Sequence, residues 1–166
     1  MSDVVVVNDS DEVIGTMPRE EAHMKGVPHR ISVIYIENAK NEILVQTRMS
    51  GSLDHSCAGH LDPGETYEQA AYRELKEELG IEGTTIKEIG HGTTHSIYPK
   101  HGVNSCHVFK VFTCTAEPKQ LQKDEVLSVA WKDPEEILDA MKKDKNDHVF
   151  TMAFRNSLPI YLKSKG

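Results

Sequence analysis

The stretch between Thr66 and Gly80 constrains the fold of this 166-residue chain more than any other. Thr66 and Gln69 have the spacing of a capping box, and Gly80 is typical of the position after the last turn of a helix. Within these limits apolar residues recur every four positions, at Ala71, Leu75 and Leu79. This period predicts an amphipathic helix whose buried stripe must be covered by a second layer.

Short runs rich in β-branched residues surround this helix and are separated by turn signals. The turn-rich segments 8–11 and 38–41 each lie between two such runs, which predicts two hairpins. We expect strands at residues 4–7, 13–16, 31–36, 43–47, 84–89, 107–115 and 127–131. Strands before and after the helix predict an α/β fold, in which helices cover both sides of a mixed central sheet.

Three further segments are predicted as helix or loop. Residues 18–28, rich in charge and histidine, are predicted to form a loop or a short helix. Asp133 as N-cap and Pro134 at the first helical position predict a helix from there. The C-terminal stretch 150–162 is predicted as a helix that breaks or kinks near Pro159.

The composition is typical of one globular domain: 38% of the residues are hydrophobic and 27% are charged. We expect a single domain over 1–166, with 1–28 as an N-terminal hairpin and lead-in and 29–162 as the core. No run approaches the roughly 20 apolar residues of a membrane span, and the acidic N-terminus is unlike a signal peptide. Three cysteines without a C-x-x-C pair favour a reducing compartment, so we expect a cytoplasmic protein.

Three glutamates lie on one side of the predicted helix: Glu74, Glu77 and Glu78. Like charges at this spacing destabilise a helix by a few tenths of a kcal/mol per pair. A solvated acidic face is one interpretation, since charge runs usually face water. The residues before the helix favour a functional site instead. Segment 62–65, Asp-Pro-Gly-Glu, meets the requirement of a type II turn, and Arg73 is placed to form a bidentate pair with Glu65.

A cluster of carboxylates, with the Gly59 carbonyl as a further candidate ligand, favours Mg²⁺ or Mn²⁺ over zinc. Mg²⁺ takes few carboxylates and leaves positions for phosphate oxygens, so we expect more than one ion in the substrate complex. Such ions neutralise phosphates and activate a water that attacks phosphorus. The formal net charge of −7 excludes a nucleic-acid duplex but remains compatible with a small diphosphate bound through cations.

Residues 59–81 resemble the signature of the Nudix hydrolases, Gly-x5-Glu-x7-Arg-Glu-U-x-Glu-Glu-x-Gly-U with U aliphatic. Every fixed position is filled: Gly59, Glu65, Arg73, Glu74, Leu75, Glu77, Glu78, Gly80 and Ile81. The resemblance implies an α/β/α sandwich and hydrolysis of a diphosphate bond in a nucleoside di- or triphosphate or a nucleotide sugar. It also implies that Glu74, Glu77 and Glu78 are catalytic metal ligands and that Glu65 and Arg73 support the loop. A homodimer stays open.

The outer parts of the chain resemble the Nudix subgroup related to isopentenyl-diphosphate isomerase. This likeness rests on the leading hairpin, His29-Arg30 before a strand, residues 43–48, and residues 123–126 before Trp131. His29 and His60 match histidines that bind metal in isomerases, so the likeness reaches into that site.

Isomerase activity is nevertheless the weaker alternative. The catalytic cysteine of isomerases falls at Ala58, whereas Cys57 lies one residue earlier and would point to the opposite face of a strand. The isomerase glutamates fall near Gly102 and Asn104, neither of which can serve as acid or ligand, so the groups that proton transfer needs are missing. We therefore expect hydrolysis, with isomerisation and a non-catalytic nucleotide-binding module as alternatives.

Further candidates lie outside the signature. Glu125 precedes a predicted strand, where many Nudix enzymes keep a glutamate that binds metal or acts as a base; a solvated loop carboxylate is the alternative. Arg48 and His60 are candidates for substrate binding, and Arg48 is otherwise a surface arginine. Four histidines crowd one part of the sequence and could line a substrate pocket or, with Cys106, bind zinc: His91, His95, His101 and His107.

Overall fold

The computed structural model describes residues 2–98, 103–144 and 149–166. The strands are β1 (Asp3–Val7), β2 (Val13–Pro18), β3 (His29–Glu37), β4 (Ile43–Arg48), β5 (Leu53–Asp54), β6 (Cys57–His60), β7 (Lys87–Tyr98), β8 (Val103–Thr115) and β9 (Val126–Lys132). The helices are α1 (Arg19–Lys25), α2 (Tyr67–Leu79), α3 (Pro134–Lys143) and α4 (Met152–Lys165).

Strand β3 lies in the middle of one mixed sheet. It pairs in parallel with β8, where His29 is opposite His107, and antiparallel with β6, where Ile31 is opposite His60. The hairpin of β1 and β2 joins β3 through β1, and β7 pairs with the outer side of β8. Strand β4 pairs with β5 and β9. The apolar run of β3 fits a strand that is buried on both faces.

Two apolar cores lie on opposite faces of this sheet. The first lies beneath α2 and includes Ala70, Ala71, Leu75 and Leu79. The second lies beneath α3 and α4 and includes Ile137, Met141, Phe154 and Leu158. Alternate residues of β3 enter the two cores: Ile34 and Ile36 the first, Val33 and Tyr35 the second. The predicted α/β/α sandwich is therefore confirmed.

Helix α2 begins and ends where the sequence predicts. The Thr66 hydroxyl accepts a hydrogen bond from the Gln69 amide at 3.1 Å, and the Gln69 side chain accepts one from the Thr66 amide at 2.9 Å. Gly80 closes the helix in the left-handed region, at φ 66°. These caps satisfy backbone groups that the helix itself leaves without partners.

Strands β7 and β8 reach beyond their predicted limits. The first strand was predicted at residues 84–89, whereas β7 runs from Lys87 to Tyr98. The second was predicted to begin at residue 107, whereas β8 begins at Val103. Most residues of the added length are polar or glycine, so no apolar alternation marks it. Strands β5 and β6 were not predicted, because two and four residues are too short for a periodic signal.

Two other expectations need correction. Helix α4 continues through Pro159 to Lys165 without ending there, because its inner face is fixed by buried residues such as Leu158 and Tyr161. The second hairpin forms, but β3 and β4 pair only at Glu37 and Ile43 before they diverge to other partners. Among the described residues, no helix is both long and apolar enough to cross a membrane.

Candidate active site

The loop that enters α2 is held by one arginine. Glu65 N–H donates to the Asp62 carbonyl at 2.9 Å, and Gly64 has φ 86°, as a type II turn requires. Arg73 then donates two hydrogen bonds to the Glu65 carboxylate, at 2.7 and 2.9 Å, which is the bidentate pair expected from the sequence. The same guanidinium donates to the His60 carbonyl at 2.9 Å. Arg73 thus joins the turn, the end of β6 and the helix.

The three glutamates of α2 occupy different environments. Glu74 and Glu78 are buried, whereas the side chain of Glu77 is 57% exposed. Arg73 donates to Glu74 at 2.7 Å and to Glu77 at 3.2 Å. Burial raises the pKa of Glu74 to about 7 and that of Glu78 to about 8, since little water solvates the ionised form. A divalent cation between these carboxylates would favour ionisation of both.

Gly59 lets the backbone of β6 approach this cluster closely. A Cβ atom at this position would lie 2.2 Å from the carboxylate carbon of Glu74, well inside van der Waals contact. Only glycine therefore fits between the strand and the carboxylate. The backbone of residue 59 borders the cluster, as expected for a candidate ligand.

The surroundings of the buried pair are polar. Gln46 of β4 donates a hydrogen bond to Glu78 at 3.3 Å. The Cys57 thiol also bonds to Glu78; burial and the nearby carboxylates raise its pKa, so it is not an activated nucleophile. Glu125, just before β9, is exposed and close enough to raise the pKa of Glu74 and Glu78 electrostatically. The fold thus brings five carboxylates and the backbone of Gly59 together at one side of α2. The five carboxylates are those of Glu65, Glu74, Glu77, Glu78 and Glu125.

The donor set fits hard cations. The carboxylate and carbonyl oxygens around Glu74 and Glu78 are ligands that Mg²⁺ and Mn²⁺ prefer. Histidine nitrogens and cysteine sulfur, which favour other metals, do not dominate this side of α2. Arg48 lies at the end of β4, where its guanidinium is 3.5 Å from Asp54 and its side chain is 56% exposed. It is therefore available at the surface beyond the cluster.

The ring of His60 lies away from the glutamates. Consecutive side chains of a strand point to opposite faces, and residues 57 and 59 of β6 face α2. His60 instead joins His23, His29 and His107 on the other face, with all four ligand atoms within 4.8 Å of one another. The Nε2 atom of His23 is 3.1 Å from that of His29 and 3.3 Å from those of His60 and His107.

These rings are uncharged at neutral pH. Burial lowers the pKa of His29 to about 4, that of His107 to about 3 and that of His60 to about 2. Burial also lowers the pKa of His23, and the nearby Arg19 adds to this effect. The cluster is therefore a group of neutral nitrogen donors, unlike the oxygen cluster on α2.

The predicted crowding of histidines 91 to 107 is wrong for the described residues. In the β7–β8 pair, His107 is opposite Thr94 and shares its face, whereas His91 and His95 point to the other face. His95 is exposed and bonds to Asn104 at 2.6 Å, and Cys106 is not part of the histidine cluster. His101 lies outside the described residues.

Sequence reasoning missed His23. The available signal was weak: His23 and His29 flank the corner between α1 and β3, at a spacing of six residues. Their convergence with His60 and His107 depends on the sheet register, which no local pattern reveals. Ala58 lies on the face of β6 away from α2, so the predicted separation of positions 57 and 58 is confirmed.

Comparisons with known proteins agree with this geometry. A family model described as the NUDIX domain matches residues 27–153. An isopentenyl-diphosphate Delta-isomerase of Pectobacterium atrosepticum is 33% identical over 150 residues, which cover 85% of this chain and 82% of the relative. A Salmonella typhi protein named Nudix hydrolase YfcD is 35% identical over 142 residues, which cover 81% of this chain and 73% of the relative.

A solved structure shares the whole fold. The crystal structure of DR0079 from Deinococcus radiodurans matches with a TM-score of 0.76 over 95% of this chain and 97% of that chain, at 21% identity. The family match covers most of the sequence, and the complete signature lies on the loop and helix that gather the carboxylates. The chain therefore belongs to the NUDIX domain family and is a hydrolase of the diphosphate-cleaving type.

Proposed function

We propose that this protein is a Mg²⁺-dependent hydrolase of a nucleoside di- or triphosphate or a nucleotide sugar. One observation carries the proposal: Glu74 and Glu78 are buried together beside the Gly59 backbone, and Arg73 donates a hydrogen bond to Glu74. Two buried carboxylates repel each other and lose hydration when both are ionised. Divalent cations relieve both costs, and they also attract a diphosphate to this face.

Each residue has a defined part in the proposed reaction. Glu74, Glu77, Glu78 and the Gly59 carbonyl would hold the ions. When bound, they neutralise the substrate phosphates and lower the pKa of the attacking water. Glu125 accepts the proton that this water loses. The water oxygen forms a new bond to phosphorus while the bond from phosphorus to the bridging oxygen breaks, which leaves two phosphate-bearing products.

A substrate contact beyond the ions is assigned to Arg48, whereas His60, the other predicted substrate-binding residue, supports the site indirectly. The exposed guanidinium of Arg48 contacts a substrate phosphate, and Asp54 orients it from the other side. His60 acts through its carbonyl, which accepts from Arg73, because its ring lies in the histidine cluster. The three unpaired cysteines support a reducing, cytoplasmic compartment.

A substrate screen with and without Mg²⁺ or Mn²⁺ tests the proposal, followed by Glu77→Gln on the best substrate. Glu77 is exposed, so the variant is expected to fold while turnover falls by more than about 100-fold. Glu68→Gln, exposed in the first turn of the same helix, is the matched control and should retain activity. Full activity of Glu77→Gln would contradict the metal assignment. Binding of nucleotides without turnover in the screen would favour the binding-module alternative.

The position of bond cleavage is tested with labelled water. Turnover in H₂¹⁸O should place one labelled oxygen on a phosphate of one product, because water attacks phosphorus. Products without phosphate label would contradict this mechanism.

Isomerisation of an alkenyl diphosphate is the second candidate, favoured by the name of the 33% identical relative. It requires an acid and a base beside the alkene, and Ala58 supplies neither. Incubation with isopentenyl diphosphate is expected to yield no dimethylallyl diphosphate. Metal-dependent formation of that product would replace the hydrolase proposal.

A further inference from the structure

A buried glutamine interrupts the apolar run of strand β4. Gln46 follows the buried residues Ile43, Leu44 and Val45, and it is itself only 6% exposed. A buried amide costs free energy unless its polar atoms find hydrogen-bond partners, so a glutamine at this position needs a physical reason. One of its partners is Glu78 of α2, which belongs to the glutamate cluster of the candidate active site.

The nitrogen of the Gln46 amide has two acceptors. It donates to the Ser56 carbonyl at 3.1 Å and to the Oε1 atom of Glu78 at 3.3 Å. A backbone carbonyl can only accept, so the contact with Ser56 requires the amide nitrogen, not the amide oxygen, on this side. The two hydrogens of one nitrogen therefore join β4 both to the start of β6 and to α2.

The anchor at Ser56 is rigid. Its hydroxyl donates to the Leu44 carbonyl at 2.6 Å and accepts from the Ile36 amide at 2.8 Å. Ser56 is fully buried, so its carbonyl is held in place by the two central strands β3 and β4. The Gln46 amide is therefore fixed at one end by its own strand and at the other by this carbonyl, and it presents its second hydrogen to Glu78 in a defined direction.

Glu78 gains an uncharged partner in this way. Arg73 donates to Glu74 and Glu77 on the same helix, and it carries a positive charge that repels a cation. The amide of Gln46 restricts the rotation of the Glu78 carboxylate without a positive charge of its own. The Cys57 thiol also bonds to Glu78, but a thiol is a weak donor, so the amide is the stronger of these two partners.

We propose that Gln46 is a positioning residue, which holds Glu78 so that one carboxylate oxygen stays available to the divalent ions. The inference rests on the proposed function, in which Glu78 is a metal ligand. Carboxylates that bind metal are commonly fixed by a hydrogen-bonding neighbour, and loss of this neighbour typically weakens metal binding by about 10- to 100-fold. Gln46 itself touches neither the substrate nor the ions.

Mn²⁺ affinity of the Gln46→Met variant, measured by EPR titration without substrate, tests the proposal independently of turnover. Methionine has nearly the same length and fills the same space, but it has no hydrogen to donate. Mn²⁺ binding should weaken by about 10-fold or more. Gln46→Asn keeps the amide on a side chain that is one methylene shorter, so it should show the same loss and serves if the methionine variant does not fold.

Ser157→Ala is the matched control for loss of a buried hydrogen bond. Ser157 is fully buried on the other side of the sheet, where its hydroxyl oxygen is 2.7 Å from that of Tyr35. The control should lower the thermal midpoint, as a lost buried hydrogen bond does, yet bind Mn²⁺ normally. A purely structural role of Gln46 would make both variants alike in Mn²⁺ affinity and would overturn the proposal.

A double-mutant cycle identifies the residue through which Gln46 acts. Glu78→Gln alone should weaken Mn²⁺ binding, and the further change Gln46→Met should then cause no additional loss. Losses that multiply would show that Gln46 acts independently of Glu78 and would also overturn the proposal. Normal Mn²⁺ binding by Glu78→Gln is a different failure, because it would contradict the metal assignment of the proposed function itself.

Discussion

Replacing Gly59 by alanine should disable the glutamate cluster by displacement alone. Gly59 does not have a left-handed backbone, so the added methyl group causes no conformational strain. The new Cβ would lie 2.2 Å from the carboxylate carbon of Glu74, whereas ordinary contacts begin at 3.4 Å, so the carboxylate must move by at least 3.4 − 2.2 = 1.2 Å. Metal–oxygen distances tolerate only about 0.2 Å.

The displacement also affects the hydrogen bond that Arg73 donates to Glu74 at 2.7 Å. Loss of one hydrogen bond to a charged group costs about 1.5–3 kcal/mol when it is buried, and this pair is partly solvated, so we expect about 1–2 kcal/mol. Turnover should fall about 100-fold, as for other misplacements of about 1 Å. The effect on catalysis should therefore exceed the effect on folding.

Two measurements separate these effects: urea unfolding of the metal-free protein and Mg²⁺-dependent turnover of the best substrate from the screen. Gly15→Ala, in β2, is the matched control, because its Cβ would have no atom within 4 Å. The control should change stability by less than about 0.5 kcal/mol and leave turnover intact. If Gly59→Ala kept normal turnover and Mg²⁺ affinity, the carboxylate of Glu74 would not be a working ligand.

Two further predictions concern α2. Arg73→Lys keeps the charge but loses the planar guanidinium that holds Glu65 through two hydrogen bonds. The free energy of unfolding, measured by urea unfolding, should therefore fall by about 2 kcal/mol. The control Lys76→Arg, at an exposed position, should change it by less than about 0.5 kcal/mol. Metal-free protein should lose stability as pH rises from about 4.5 to about 8. The pKa values of Glu74 (about 7) and Glu78 (about 8) exceed the ordinary 4.5, so the stability they add is fully present below pH 4.5, and it is lost by the time pH has passed these values. Glu78→Gln should flatten this dependence in chelator-treated thermal melts, and an unchanged slope would contradict the burial of that carboxylate.

Local chemistry explains why α2 and its loop could be predicted from the sequence. The capping box, the glycine stop and the pair between Arg73 and Glu65 join residues within two turns of one another, so their spacing alone specifies their contact. The largely polar ends of β7 and β8, residues 90–98 and 103–106, could not be predicted in the same way. Their pairing depends on a partner strand elsewhere in the chain, and exposed strands of polar residues lack the apolar alternation that indicates a sheet.

The same limit applies to the candidate sites. The glutamates lie on one helix face and could be grouped from a spacing of three and four residues. The histidine cluster requires the parallel register of β3 and β8, which sets His29 opposite His107, and the docking of α1, which brings in His23. Register is a tertiary property, and a shift of one residue would turn His107 to the other face.

Strand β6 explains how one short segment can border two clusters of different donor atoms. Its odd-numbered positions, Cys57 and Gly59, face α2 and the oxygen cluster, while Ala58 and His60 face the nitrogen cluster. Because side chains alternate, the identity of one residue decides which face carries a reactive group. An ionisable side chain at position 58 would lie on the histidine side, the position at which the resemblance to isomerases places their catalytic cysteine. With alanine there, the reactive carboxylates remain on the α2 side, which favours attack by water on phosphorus over proton transfer to carbon.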